Sequence, residues 1–309
     1  MGEIAAILTT ICWSVGIFPF TIAAQRLGTA ALNQYRLLLA WFIITIILLF
    51  FFIHQPVDLF SSPKPFHYLF LGLSGIIGFT IGDYCSFSSF KILGPKLGSL
   101  YTTFAPGVAL IAGYLVLDET INFAGIIGIA ITLMGVIWLT LSKKDAEQSK
   151  KIGFVRTNKG VILGILGASC QGLGLVLSKL GMNYYPEHSL NTFHAVWIRL
   201  LFAFSSAFLV SSITGSIKAN SIPVLKNHQN GLVYIFTGTL LGPVIGVSLS
   251  LYTIQQINVS VAQTIFALLP VFVLPINLLV YKEKINAHSV FACFLAITGV
   301  LILVWRHKF

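Results

Sequence analysis

Three charged residues sit inside long apolar stretches: Arg36, Asp83 and Arg199. A charge at that depth is costly and normally faces a bundle interior or a wet cavity. An arginine there can hold an anionic group such as a carboxylate, because its planar fork matches carboxylate geometry. The plainer reading is that Arg36 and Arg199 snorkel to the interface or pair helices. An acid in the same setting, Asp83, fits a proton-coupling role. The alternative for Asp83 is a structural ion pair with Arg36, Lys91 or Lys179.

Uncharged polar residues form a second pattern. Ser99, Pro106 and Gly113 recur at intervals of seven, which is one helix face. Gln263, Pro270 and Asn277 do the same. Proline removes a backbone hydrogen bond and bends a helix. Polar groups beside such a bend are expected to line a central cavity, with Thr103 on the first of these segments. Their use as interhelical glue is the competing reading.

These two proline segments are copies of each other. Phe90–Asn122 aligns without a gap on Ile254–Asn286 at a shift of 164 residues, Pro106 to Pro270. Leu110/Leu274, Leu115/Leu279, Val116/Val280, Glu119/Glu283, Ile121/Ile285 and Asn122/Asn286 are identical pairs. Gly78, Gly82 and Gly135 match Gly242, Gly246 and Gly299 at the same shift, and Arg36 matches Arg199 at 163. Asp83 has Val247 as its mate, so it breaks the symmetry.

The elements that carry these residues are membrane helices. Hydrophobic residues make up 56% of the chain and charged residues 9%, with a mean hydropathy of +0.90; a soluble domain is about 25% charged. The apolar runs reach the roughly 20 residues that cross a hydrocarbon core, and unsolvated backbone must there be helical. Ten spans are expected, near 3–24, 30–53, 66–88, 95–117, 121–141, 160–181, 191–213, 230–252, 258–280 and 285–305. The expected fold is thus an all-α membrane protein of ten transmembrane helices. Repeat 1 covers 3–141, a basic polar linker 142–159, and repeat 2 covers 160–305. Five spans per copy is an odd number, so the two five-helix repeats must be inverted relative to each other. Glycines at 72, 75, 78 and 82, and at 238, 242 and 246, predict close helix packing or smooth sliding faces. Glu119 and Glu283 are expected to cap the helix that follows each turn.

Composition also excludes functions. The net charge of +10 lies in loops rather than in a basic patch with interleaved aromatics, so no nucleic acid is expected as partner. The basic bias places the linker in the cytoplasm and both termini outside. The four cysteines lie within spans with no metal spacing and read as packing residues. With Glu3 in place of a basic n-region and a first run of full span length, no cleavable signal is expected. No GxxxxGK[ST] occurs, and His194 and Asp83 are isolated, so neither ATP hydrolysis nor a membrane enzyme is expected, nor any cofactor or metal.

The chain resembles the EamA family of the drug/metabolite transporter superfamily over nearly its whole length. The resemblance rests on Cys12-Trp13-Ser14, Arg36, Pro106, Leu117-Asp118-Glu119-Thr120-Ile121, Gly125 and Gly135. In the second copy it rests on Arg199, Pro270, Lys282-Glu283-Lys284-Ile285 and Gly299. Asp118-Glu119 and Lys282-Glu283 replace the usual Gly-Glu, and Gln171-Gly172 stands where Trp-Gly or Trp-Ala is common. The family implies ten helices, five plus five, and cytoplasmic termini, which conflicts with the basic bias. It also implies transport of amino acids, metabolites, drugs or nucleotide sugars.

Together these readings predict a multi-pass protein of the cell (inner) membrane. It would be a secondary carrier exporting a small organic metabolite, such as an amino acid or related compound, by alternating access. A proton-coupled multidrug or broad-specificity exporter is the first alternative, and a channel or lipid scramblase the second. The expected partners are the bilayer, a small-molecule substrate and, as an open option, a second copy of the chain. Trp13, Ser14, Arg36, Ser99, Thr103, Pro106, Arg199, Gln263, Pro270 and Asn277 are the expected cavity residues, with Asp83 for proton coupling.

Overall fold

The computed structural model describes residues 1–51, 63–140, 153–155, 157–185, 187, 189–227, 230–282 and 287–305. Most of the expected linker, and Glu283 with its proposed capping role, lie outside these residues. Among the described residues every regular element is a helix. The first half contains α1 (Gly2–Leu27), α2 (Thr29–Phe51), α3 (Pro65–Gly75), α4 (Tyr84–Leu100), α5 (Phe104–Leu117) and α6 (Phe123–Thr140). The second contains α7 (Asn158–Asn183), α8 (Thr192–Ile213), α9 (Ile217–Leu225), α10 (Gly231–Thr239), α11 (Val247–Gln256), α12 (Val259–Phe266), α13 (Leu269–Tyr281) and α14 (Ala287–Val304). Among the described residues seven helical runs are long and apolar enough to cross a membrane, and the shorter Phe123–Gly135 and Val290–Val304 are apolar too.

One of the seven, Pro65–Leu117, is 53 residues long. At 1.5 Å per residue it would measure about 80 Å, far more than a bilayer core. It folds back at Gly94, whose φ of 82° and ψ of 166° suit only glycine, just before helix-breaking Pro95. The contacts of α7 prove the hairpin. Glycines 160, 167, 174 and 181 meet Leu93, Ser86, Gly78 and Leu71 in turn, whereas Gly164 and Gly172 meet Tyr101 and Ala105. Both arms therefore run along one helix in opposite directions.

Matched positions of the two copies break in matched ways. Between α3 and α4, residues Ile76–Asp83 form a π-helix; between α10 and α11, residues Leu240–Gly246 form another. A 3-10 turn at Tyr101–Thr103 precedes α5, and α12 stops at Phe266 before α13. Pro106 lies in the first turn of α5 and Pro270 at the start of α13, where a missing N–H is tolerated. The bends expected at these prolines are thus breaks just ahead of them. Asp118 and Lys282, ending α5 and α13, both adopt left-handed conformations (φ 53° and 55°).

The copies interlock. In α1, Thr10 and Ser14 hydroxyls reach the Ile265 and Leu269 carbonyls of the second copy, and Phe20 fills the space over Gly238 and Gly242. Reciprocally, α7 packs on α3 to α5 of the first. Helices α6 and α14 lie antiparallel with reciprocal contacts: Gly135 abuts Ala296 and Ala292, while Gly299 abuts Thr132 and Gly128. Each contact maps onto the other at the 164-residue shift, so a local two-fold axis crosses this helix pair.

Candidate functional site

The site grows from the π-helical segment of the first copy. A π turn widens the helix and re-aims its side chains, a feature common at functional sites. It places Gly78, Phe79 and Asp83 on one cavity. Asp83, its side chain 26% exposed, forms an ion pair with Nη2 of the buried Arg36. Asn33, one turn before Arg36, accepts from Arg36 Nε at 3.2 Å and Nη2 at 2.9 Å. Its own amide donates to the Phe79 and Thr80 carbonyls of the π segment, both at 3.1 Å. The Arg36 guanidinium also sits 4.6 Å from the Phe87 ring centroid.

Arg199 approaches from the other copy on α8. Its guanidinium lies 4.3 Å from the Phe79 ring centroid. Nε and Nη1 are buried without hydrogen-bond partners. Both arginines are only 2% exposed, so neither snorkels. Gly78 leaves the necessary room, since a Cβ there would lie 3.3 Å from Arg199 Nη2.

The cavity has a volume of about 100 Å³. Trp13, Phe20, Phe79, Phe87 and Phe90 supply aromatic wall, and Ser86, Thr102, Gln171 and Ser250 supply polar groups. Of the residues singled out in the sequence, the cavity gathers Trp13, Arg36, Asp83 and Arg199. It does not take in Ser14, Ser99, Thr103, Pro106, Gln263, Pro270 or Asn277.

Local packing explains that difference. The hydroxyls of Ser14, Ser99 and Thr103 bond to carbonyls of the preceding turn, those of Thr10, Lys96 and Leu100. Gln263 donates to the Gln171 carbonyl at 3.4 Å. Asn277 is buried at 2% exposure. The two proline-containing segments contribute only Phe90, Thr102 and Leu269 to the wall, whereas α1 alone contributes Trp13, Gly16, Ile17 and Phe20. The residues that sequence reasoning missed, such as Phe20, Phe79 and Phe87, are aromatics among many others. The intramembrane charges Arg36, Asp83 and Arg199 and the glycine at 78 pointed to this region, but nothing in the sequence marked these rings among the others.

A second polar cluster lies at the membrane face where α1 begins. Lys179 Nζ contacts Glu119 Oε1 at 2.6 Å and donates to the Ile257 carbonyl at 2.8 Å. Glu119 Oε2 accepts from the Val259 N–H at 2.8 Å. Glu119 therefore caps α12 of the other copy and not the helix after its own turn. Asn122 serves that helix, accepting from the Gly125 N–H at 3.0 Å. Among the described residues no group of three or more potential metal ligands occurs.

Comparison with known proteins agrees with this architecture. A solved crystal structure superposes with a TM-score of 0.63 at 14% identity, covering 99% of this chain and 98% of its own, which shows a shared fold. The multidrug resistance protein EbrB of Bacillus subtilis (strain 168) is 36% identical over 81 residues, 25% of this chain and 69% of EbrB. EbrB of Bacillus atrophaeus is also 36% identical over 81 residues, 24% of this chain and 69% of its own. The model of the EamA-like transporter family matches residues 1–141 and 158–305, the two sequence copies almost in full. This multi-pass membrane chain belongs to the EamA-like transporter family.

Proposed function

We propose that the protein is a secondary carrier of the cell membrane that exports a small organic metabolite by alternating access. One observation carries the reading: one cavity is walled by both copies and holds the Arg36–Asp83 ion pair beside Arg199, whose Nε and Nη1 have no acceptor among the described residues. We read the ten helical rods, with the Pro65–Leu117 hairpin counted as two, as ten spans in an inverted five-plus-five arrangement. The reciprocal antiparallel contacts of α6 and α14 support that inversion.

Because the copies interlock, the moving bodies differ from the sequence repeats. One body comprises α1 with α10 to α13, the other α7 with α3 to α5. The cavity lies between them. The partners in this reading are the bilayer and a small-molecule solute; no enzymatic step is involved. A broad-specificity multidrug exporter is the second reading, favoured by the similarity to EbrB.

Purified protein in liposomes tests the proposal against a panel of metabolites and drugs. Saturable uptake stimulated by solute on the opposite side is expected of a carrier. Non-saturating flux would indicate a channel, and failure to move any solute would sink the reading.

A further inference from the structure

Charges in the cavity wall do not balance. Asp83 pairs with Arg36 and attracts Arg199 only from a greater distance, and Asn33 takes further Arg36 N–H groups. Two guanidiniums thus share one carboxylate, and one positive charge is left over. Arg199 is 2% exposed, its Nε and Nη1 have no acceptor among the described residues, and it lines the cavity. A cation–π contact with Phe79 at 4.3 Å offsets part of the desolvation, but a ring face accepts no in-plane N–H bond. Burying an unpaired charge is expensive, and the deficit is removed by any anion that can reach the fork.

We propose that Arg199 docks a carboxylate of the transported solute, so that the cavity selects organic monoanions over neutral or cationic compounds. This rests on the carrier reading above and names its substrate class. The fork can bind a carboxylate through two N–H bonds. One negative charge restores neutrality, whereas a cation would meet an uncompensated guanidinium at close range. The aromatic wall suits a solute with an apolar, ring-sized body. Trp13, Phe20 and Phe87 face it, and an apolar protein cavity of about 150 Å³ admits benzene, close to the volume of about 100 Å³ here.

Three probes of nearly the same shape separate charge from fit: benzoate, benzamide and benzamidine. Binding to the full chain in detergent is read by intrinsic fluorescence and thermal shift. Wild-type protein is expected to bind benzoate on the order of ten- to a hundred-fold more tightly than benzamide, the range for a hydrogen-bonded charge, with benzamidine weakest. Arg199→Gln should erase the preference and Arg199→Lys should restore part of it. The wild-type comparison needs no variant, so a folding defect in Arg199→Gln does not block the test.

Equal binding of benzoate and benzamide, no binding of benzoate, or an Arg199→Gln protein that still prefers benzoate would each overturn the proposal. Flux in liposomes keeps the two readings apart. Transport of benzamide without preference sinks the anion site and leaves the carrier standing. Arg199-dependent benzoate binding with no flux of any solute supports the site and sinks the carrier.

Discussion

Glu119 and Lys179 meet at 2.6 Å, joining the turn after α5 to the end of α7, and both also bond the backbone that starts α12. In the carrier reading α5 and α7 belong to one moving body and α12 to the other. The ion pair thus lies within one body, and its bonds to Ile257 and Val259 bridge the crack that must open on the face where α1 begins. The Asn258 side chain adds a bond to the Thr120 carbonyl at 3.1 Å. The opposite end of the cavity has Arg36, Asp83 and Phe90 in its wall.

Breaking this clasp should favour opening on that face. Glu119→Gln keeps the shape but removes the charge that holds Lys179 and weakens the cap on Val259. Loss of such a partly buried charged contact is worth about 1–3 kcal/mol, enough to shift a balanced two-state equilibrium by a factor of roughly 5–150. A reporter cysteine, Gln171→Cys in a background lacking the native thiols, reads the change. It should react faster with a membrane-impermeant thiol reagent applied from the α1-start face. An unchanged rate would show that the pair is a static contact.

The Arg36–Asp83 pair makes a different prediction, because its arginine is buried and the pair is internally compensated. Asp83→Asn strands a buried guanidinium and should lower stability by about 3–5 kcal/mol. Adding Arg36→Gln removes the stranded charge and should recover a large part of that loss. Thermal unfolding of the four proteins of the cycle checks this, and simple additivity would refute it. If Asp83 also carries the coupling proton, Asp83→Asn abolishes pH-driven uptake and leaves solute exchange intact.

The left-handed turns at Asp118 and Lys282 strain non-glycine backbone. Asp tolerates that region better than Lys does. Lys282→Gly should therefore stabilise by about 1 kcal/mol, and Asp118→Gly by less. Melting temperatures of the two variants in one detergent measure the difference. The reverse order would mean that side-chain contacts at these positions outweigh the backbone term.

Much of the fold was legible because membrane burial writes itself into composition, and duplication writes itself into spacing. Gly94-Pro95, Pro106 and Pro270 marked real breaks. The polar face through Ser99 does not border this cavity, for a physical reason: small hydroxyls inside apolar helices bond their own preceding turn, so period seven alone cannot tell a cavity from glue. The π segments left no signal beyond glycine spacing, since their register depends on what packs against them. Asp83 could be named from sequence but not paired, because its partner is fixed by where α2 and the π segment meet. Glu119 and Lys179 were both visible, yet only the interlocking of the copies brings them together.

The glycine faces give a sharp contrast between positions that look alike in sequence. A Cβ at Gly75 would collide with the carbonyl oxygen of Arg199, a backbone atom that cannot rotate away. At Gly107 a Cβ would meet nothing within 4 Å. Gly75→Ala must push α3 away from α8, at a cost of about 1–3 kcal/mol for overpacking. It also shifts the backbone that carries the Arg199 guanidinium, so benzoate binding should weaken along with stability. Gly107→Ala should be neutral or stabilise by up to about 1 kcal/mol through helix propensity. Unfolding curves and probe titrations on the two variants decide the matter. Equal stability losses would mean that α3 and α8 do not approach as closely as their backbones indicate.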